Sequence, residues 1–318
     1  MGKKVVILNV NYPDFDVEKR LFSTIDADLI FNDPGEDEDR IIECVRDADC
    51  IMTRETLITK RVLDGLDHCA GIVRYGVGVD NIDLDYAREK HIYVANVPDY
   101  GAPSIVPEHA MALMFAVARR LVTRDRAVRN GSWDIGAAEP MYGFEGRKVG
   151  IIGCGKIGRA FAKKISGIGF SEILGFDPYI GECEGIRMTD LETLFSESDI
   201  VSLHAPLTED TYHIVNKKTL ELMKPTAILI NTSRGGLVDI DALTYALKND
   251  LIFGAGIDVF EQEPPNITHE LFSLDNVTVT DHCSWYCTMT QGNVQRIAAE
   301  DAVRIIKGEE PKAWCNPW

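Results

Sequence analysis

Lys148-Val149-Gly150-Ile151-Ile152 is an apolar, β-branched run that passes directly into Gly153-Cys154-Gly155-Lys156-Ile157-Gly158 and then into a helix-like stretch. No other segment constrains the fold as tightly. Glycines lack Cβ atoms, so the backbone can turn sharply, approach a pyrophosphate and pack helix on strand, while the helix N-terminus offers N–H donors and a partial positive charge. A lone G-x-G-x-x-G is a weak signal. Here the next strand, Glu172–Phe176, delivers Asp177 19 residues after Gly158, close to the ~20 at which an acidic group meets the adenosine ribose hydroxyls. A carboxylate there repels a 2′-phosphate, so NAD is expected rather than NADP. Lys156 and Ile157 belong to the same cradle.

Strand and helix patterns alternate on both sides of this motif. Lys4–Val10, Asp28–Asn32, Cys50–Thr53, Gly71–Tyr75 and Ile92–Asn96 read as strands, with Asp39–Arg46, Lys60–Leu66 and Asp85–Lys90 as helices between them. A second series runs through Lys148–Ile152, Glu172–Phe176, Ile200–His204, Ala227–Asn231, Phe253–Ile257 and Val277–Thr280. With 318 residues, above the ~250 at which single cores stop growing, two domains are expected. The fold class is α/β, with two Rossmann-like, doubly wound parallel sheets. Pro98–Pro103 interrupts the pattern as a linker would. A helix over Ile105–Leu121 follows, with Ser104 as its N-cap and Pro107 in its first turn. Its centre, Ala110–Ala118, is apolar on every face, which points to a subunit interface, with simple internal burial as the alternative. Met289–Lys307 reads as a final amphipathic helix.

Charge narrows the partners. The net charge of −17 repels phosphate backbones and anionic lipid at long range, so nucleic acid is not an expected partner. No apolar run reaches the ~20 residues that span a bilayer, and no membrane association is expected. Met1-Gly2-Lys3-Lys4 leads straight into Val5-Val6-Ile7-Leu8 without the apolar stretch of a secretory signal. Eight cysteines are scattered without a dense pairing pattern, which favours reduced thiols and a cytoplasmic location. Cys283 and Cys287 flank His282 too sparsely for a zinc site, so no metal is expected.

Three further groups follow predicted strands. Asn231-Thr232-Ser233-Arg234-Gly235-Gly236-Leu237-Val238-Asp239 carries an arginine whose fork matches a carboxylate. Gly256–Pro265 carries Asp258, Glu261 and Glu263, and Thr280-Asp281-His282 carries an imidazole. Ligands in open α/β sheets bind outside the carboxyl ends of the strands, so these groups share one edge with the nucleotide motif. His109, inside a helix, and His204, ending a strand, read as structural.

Taken together, Gly153-x-Gly155-x-x-Gly158, Asp177, Asn231–Asp239, Gly256–Pro265 and His282, preceded by Gly76-Val77-Gly78-Val79-Asp80-Asn81-Ile82-Asp83, resemble the NAD-dependent D-2-hydroxyacid dehydrogenases over nearly the whole chain. The resemblance implies a flavodoxin-like substrate domain of residues 1–100 plus 285–318, an NAD-binding domain of residues 101–284, and a homodimer through the helix near 105–121. It implies Arg234 as the substrate-binding arginine, His282 as the acid/base and Glu263 as its partner. Asp258 is implied near the nicotinamide carboxamide, and Ala205, Thr232 and Ser233 at the cofactor. The activity implied is hydride transfer between NADH and a small 2-keto or D-2-hydroxy acid bound in the interdomain cleft.

Substrate recognition is expected from Arg74 with the Val77 and Gly78 loop, although Arg74 has an alternative use in an internal ion pair. Arg54 resembles the phosphate-contacting arginine of phosphoglycerate dehydrogenases, but Glu55 beside it is placed to neutralise it. His282-Cys283-Ser284-Trp285-Tyr286 departs from relatives that have proline before the histidine and glycine or alanine two residues after it. Its Trp-Tyr pair resembles the branch of C-terminal-binding proteins and hydroxypyruvate or glyoxylate reductases, where the tryptophan lines the substrate pocket. Trp285 is expected there, with simple packing as the alternative. An NAD(H)-sensing corepressor and a phosphoglycerate dehydrogenase are the competing functions; retention of Arg234, Glu263 and His282 favours an enzyme.

Overall fold

The computed structural model describes residues 2–10, 12–134 and 140–318. In chain order the first elements are β1 (Lys3–Leu8), α1 (Asp16–Phe22), β2 (Ala27–Asn32), α2 (Glu38–Val45), β3 (Cys50–Thr53), α3 (Lys60–Asp64), β4 (Gly71–Arg74), α4 (Leu84–Glu89) and β5 (Tyr93–Ala95). Next come α5 (Ala102–Ala118), α6 (Leu121–Arg129), β6 (Lys148–Ile152), α7 (Lys156–Ile165), β7 (Glu172–Phe176), β8 (Arg187–Met188), α8 (Leu191–Glu197) and β9 (Ile200–Leu203). The chain continues through α9 (Lys217–Leu222), β10 (Ile228–Asn231), α10 (Ile240–Lys248), β11 (Gly254–Ile257), β12 (Val277–Val279) and α11 (Thr288–Ile306). They form two compact units, Met1–Gly101 with Cys287–Trp318, and Ala102–Tyr286.

The first unit holds a five-stranded sheet in the order β2-β1-β3-β4-β5, every pair parallel. Its central strands β3 and β4 are short runs buried on both faces, the usual reason parallel strands lose their polar alternation. Val6, Leu8, Ile51, Ile72 and Val94 pack with Val62 and Leu63 of α3 and Ala87 of α4. On the other face α11 lies on β3 and β4 and against α1, and Ile305 sits where a side chain at Gly71 would collide with it at 2.9 Å.

The second unit holds seven parallel strands in the order β12-β11-β10-β9-β6-β7-β8. From β6 the chain moves outward in one direction and then restarts at β9 in the other, so β6 and β9 bracket the switch point where such sheets bind ligands. The two faces sort by alternate residues. Ile228 and Ile230 of β10 face the cluster built from α5 and α7, and Leu229 faces the cluster built from α8, α9 and α10.

Two expectations about the long helix change. It begins at Ala102, so Ser104 lies inside it and is not the cap. Pro103 occupies its first turn, where a missing N–H costs nothing, and Pro107 interrupts only the bond to the Pro103 carbonyl. It also stops at Ala118, because Arg120 takes a left-handed backbone (φ 52°) before α6 begins at Leu121. The Arg120 guanidinium lies 4.3 Å from the centre of the Phe253 ring. The all-round apolar character of α5 has a local cause: α7 covers one side and β10, β11 and β12 the other. Leu113 and Val117 rest on Gly256 and Gly254 of β11, which leave no room for a β-carbon. Phe115 stays exposed, but more of the uncovered apolar surface is on α6, at Leu121, Val122 and Val128, with Trp133 beyond it.

The C-terminal tail is fastened to α11 by Asp301, a buried carboxylate that accepts the N–H groups of Lys312 at 2.9 Å and Ala313 at 3.1 Å. Asn316 continues the seam, accepting from the Val94 N–H at 2.8 Å and donating to the Ile92 carbonyl at 2.9 Å. Asp301→Ala strips two charge-assisted bonds from part-buried N–H groups. It is expected to destabilise the first unit by about 2–4 kcal/mol, read as a lower urea midpoint, with Asp301→Asn falling between the two.

Candidate active site

At the end of β6 the chain turns through Gly153, Cys154 and Gly155 into α7. A β-carbon on Gly158 would stand 2.1 Å from the Gly153 carbonyl oxygen, so this glycine lets the helix close onto the turn. Gly155 is the N-cap of α7 and contributes no side-chain cap, and the position its β-carbon would occupy opens onto space. The first-turn N–H groups of Lys156, Ile157 and Gly158 are thus aimed at a cradle of pyrophosphate chemistry. Asp177 is held in place at the end of β7: Oδ2 accepts the Cys154 N–H and Oδ1 the Tyr179 N–H, both at 2.9 Å. Ala205 follows β9, with its nitrogen 2.6 Å from where a Gly153 β-carbon would sit. At the end of β10 the Thr232 Oγ1 is buried without a partner, and Ser233 Oγ donates to the Leu203 carbonyl at 2.7 Å. An open glycine turn, an uncapped helix start, a ribose-height carboxylate and an unsatisfied hydroxyl fit a bound dinucleotide.

The neighbouring loops carry the ionisable groups. Asn231 braces its own turn, with Oδ1 accepting the Ser233 N–H at 3.0 Å and Nδ2 donating to the Arg234 carbonyl at 2.9 Å. Arg234 has extended backbone (φ −142°, ψ 140°), and its Nη1 donates to the Ser233 carbonyl at 2.8 Å. Directly after it, Gly235 presses on the backbone of Phe260 and Glu261, where a β-carbon would come within 1.8 Å of the Phe260 carbonyl carbon. The arginine loop and the glutamate loop are therefore in backbone contact. Asp239 closes the segment by capping α10 through the Ala242 N–H at 3.0 Å.

Glu263 and His282 meet. Glu263 Oε1 accepts the Phe260 N–H at 2.8 Å and Oε2 lies 2.6 Å from His282 Nδ1. A carboxylate is acceptor only, so Nδ1 carries the proton and Nε2 is the nitrogen left for a ligand. Both side chains are about a quarter exposed. His282 itself has a left-handed backbone (φ 53°). Asp258, just past β11, is fully buried, and its oxygens accept the Thr280 hydroxyl and the Cys283 and Ser284 N–H groups. Trp285 packs edge-on to Tyr286, ring centres 5.6 Å apart.

Two imidazoles and a thiol complete the surroundings. Burial pushes the His204 pKa down to about 3, leaving a neutral ring whose Nε2 lies 3.0 Å from Ser202 Oγ. His109 of α5 reaches Thr280 Oγ1 at 3.0 Å and Asp258 Oδ1 at 3.5 Å. Donor atoms of His109, Asp258 and Cys283 all lie within 4.8 Å of one another. Burial, with the Asp258 charge next, raises the Cys283 thiol to about 11, and the Asp258 oxygens already have protein donors, so this cluster is organised by hydrogen bonds. Cys287, on the other side of the Trp-Tyr pair, instead caps α11.

In the first unit, Arg54 pairs with Glu55 (2.9 Å) right after β3. Arg74 ends β4 and donates through Nε to the Arg54 carbonyl at 2.9 Å and through Nη1 to the Tyr75 carbonyl at 3.2 Å. Its guanidinium lies against Gly76, and Val77 beyond is exposed. Beneath this edge is a buried group that sequence reasoning missed. Tyr75 donates to Glu18 Oε1 at 3.0 Å and Gln295 to Oε2 at 3.2 Å, around a carboxyl that burial raises. His109 and Thr280 were also missed as partners; the lone imidazole in an apolar helix was the available signal.

A family model described as the NAD binding domain of D-isomer specific 2-hydroxyacid dehydrogenases matches residues 111–284. The glyoxylate reductase of Thermococcus litoralis is 41% identical over 286 residues, 87% of this chain and 86% of its own length. The hydroxypyruvate reductase of Thermotoga maritima is 39% identical over 277 residues, 85% and 88% of the two chains. The solved structure of the TT0316 protein from Thermus thermophilus superimposes with a TM-score of 0.90 at 31% identity, covering 98% of this chain and 99% of the other. The chain belongs to the D-isomer-specific 2-hydroxyacid dehydrogenases, NAD-dependent oxidoreductases that act on small 2-keto and 2-hydroxy acids.

Proposed function

We propose that the chain reduces a compact 2-keto acid of the glyoxylate or hydroxypyruvate type, with Arg234, Glu263 and His282 as its catalytic residues. The 2.6 Å contact between His282 Nδ1 and Glu263 Oε2 carries the reading. Bound NADH supplies the hydride for the carbonyl carbon. Arg234 grips the substrate carboxylate and polarises the neighbouring carbonyl, so one cation both orients and stabilises developing charge. His282 delivers a proton from Nε2 to the alkoxide oxygen, and Glu263 keeps the ring oriented and offsets the imidazolium charge. Arg74 and the backbone N–H groups of Val77 and Gly78 take the carboxylate from the first unit, and Trp285 supplies an apolar wall. Gly153, Gly155, Lys156, Ile157, Gly158, Asp177, Ala205, Thr232 and Ser233 hold the nucleotide.

The names of the relatives support a small substrate. Arg54 supports it too, since a dianionic phosphate placed there would face the Glu55 carboxylate that already holds this guanidinium at 2.9 Å. We also propose a cytoplasmic homodimer, built on the α5–α6 region where Phe115, Leu121, Val122 and Val128 are exposed. The scattered cysteines suit a reducing compartment.

The deciding assay follows NADH oxidation with glyoxylate, hydroxypyruvate, pyruvate, phosphohydroxypyruvate and 2-ketoisocaproate. Glyoxylate and hydroxypyruvate should lead in kcat/KM; tight NADH binding with no turnover on any of them would assign the chain to nucleotide sensing instead. His282→Ala should lower kcat by about 10²–10⁴-fold while NADH affinity stays near wild type, and an undiminished kcat would remove His282 from the chemistry. Asp177→Ser should raise the NADPH-to-NADH preference about tenfold, the equivalent of ~1.4 kcal/mol of relieved repulsion. Paired steady-state assays with the two cofactors read that ratio.

A further inference from the structure

The turn that presents His282 hangs on one residue. Asp258 accepts the His282 N–H on its backbone oxygen at 2.8 Å, and the Cys283 and Ser284 N–H groups on its carboxylate at 3.0 Å each. Three successive amides are thus gathered onto one buried residue. That grip holds His282 at φ 53°, a left-handed backbone that costs a non-glycine residue about 1–3 kcal/mol and persists only where the surroundings impose it. The orientation of the Asp258 carboxylate therefore sets the direction from which the imidazole meets Glu263.

That orientation is imposed from another element. Thr280 donates its hydroxyl hydrogen to Asp258 Oδ1, so its oxygen is left as an acceptor, and His109 Nε2 lies 3.0 Å from it. Hydrogen-bond polarity then runs one way, from His109 Nε2–H to Thr280 Oγ1–H to Asp258 Oδ1. His109 comes from α5, 171 residues away in sequence, and its Nε2 also lies 3.5 Å from Asp258 Oδ1.

We propose that His109 and Thr280 are positioning residues for the reaction: a hydrogen-bond relay that aims the Asp258 carboxylate and, through the amides of Cys283 and Ser284, the acid/base imidazole just before them. The inference rests on the acid/base role of His282. Asp258, buried with its oxygens occupied, acts in this scheme through the turn.

Thr280→Val keeps the volume and removes the hydroxyl; Thr280→Ser restores it. A small error in the aim of a reacting group costs on the order of 10²-fold, so the valine variant should lose about 10–100-fold in kcat. Its NADH dissociation constant and melting temperature should stay near wild type. The solvent deuterium isotope effect on kcat should rise, because proton delivery becomes the slow step, and Thr280→Ser should recover most of the rate. His109→Gln, which keeps a side-chain N–H, should outperform His109→Leu in the same assays and gives an independent route if the valine variant folds poorly. A Thr280→Val enzyme within twofold of wild type would overturn the relay. So would a loss of kcat that tracks weaker NADH binding or that serine does not rescue. His282→Asn is run in parallel: its inactivity beside a fully active Thr280→Val enzyme defeats the relay alone, whereas its full activity defeats the acid/base reading and the relay with it.

Discussion

Every pairing between strands in the described residues is parallel, and that constraint decides where chemistry can occur. Parallel strands end on one edge, each followed by a short loop whose backbone must find partners outside the ladder. In the second unit the proposed site residues stand at those ends: Gly153 after β6, Asp177 after β7, Ala205 after β9, Thr232 after β10 and Asp258 after β11. Functional groups far apart in sequence are gathered because the sheet register delivers them to the same height. Gly235 then lets the β10 loop touch the loop that follows β11, which ties the setting of Arg234 to that of Glu263.

Those loops spend their polar groups on each other before any ligand arrives. Asn231 satisfies the Arg234 turn, Glu263 satisfies the Phe260 N–H, and Asp258 satisfies the two amides after His282. A buried donor left without an acceptor costs about 1–3 kcal/mol, so each bond makes the productive loop shape the cheapest available. Preorganisation is a by-product of that satisfaction, and the left-handed backbone of His282 is the strain it supports.

The strand ends were legible because continuous apolar runs stop at turn residues: Cys50–Thr53, Lys148–Ile152 and Glu172–Phe176 have the bounds the pattern predicts. The two-residue strand Arg187–Met188 has no such run, being an exposed edge. The start of α5 was hidden because Pro103 read as the end of a linker, although it sits in the first turn of the helix, where no N–H bond is lost. Arginine, glutamate and histidine were visible as types on one edge, but the His282–Glu263 partnership came from the resemblance; periodicity says nothing about which side chains of two loops meet. The lone imidazole of His109 was visible, but its bond to Thr280, like that of Tyr75 to Glu18, joins elements whose packing depends on helix placement and was not.

Electrostatics places one more demand on this arrangement. A chain of net charge −17 must draw in a nucleotide and a keto acid that are themselves anions. At physiological ionic strength charges are screened over about 8 Å, so the distant carboxylates weaken the approach but not the grip. What an anion meets at the proposed site is local: the start of α7, where the Gly155 N-cap makes no side-chain cap bond, and the guanidinium of Arg234 beside its own backbone. Binding of small anions is therefore favoured where several fixed donors converge, a condition that local geometry meets even in a chain of negative overall charge.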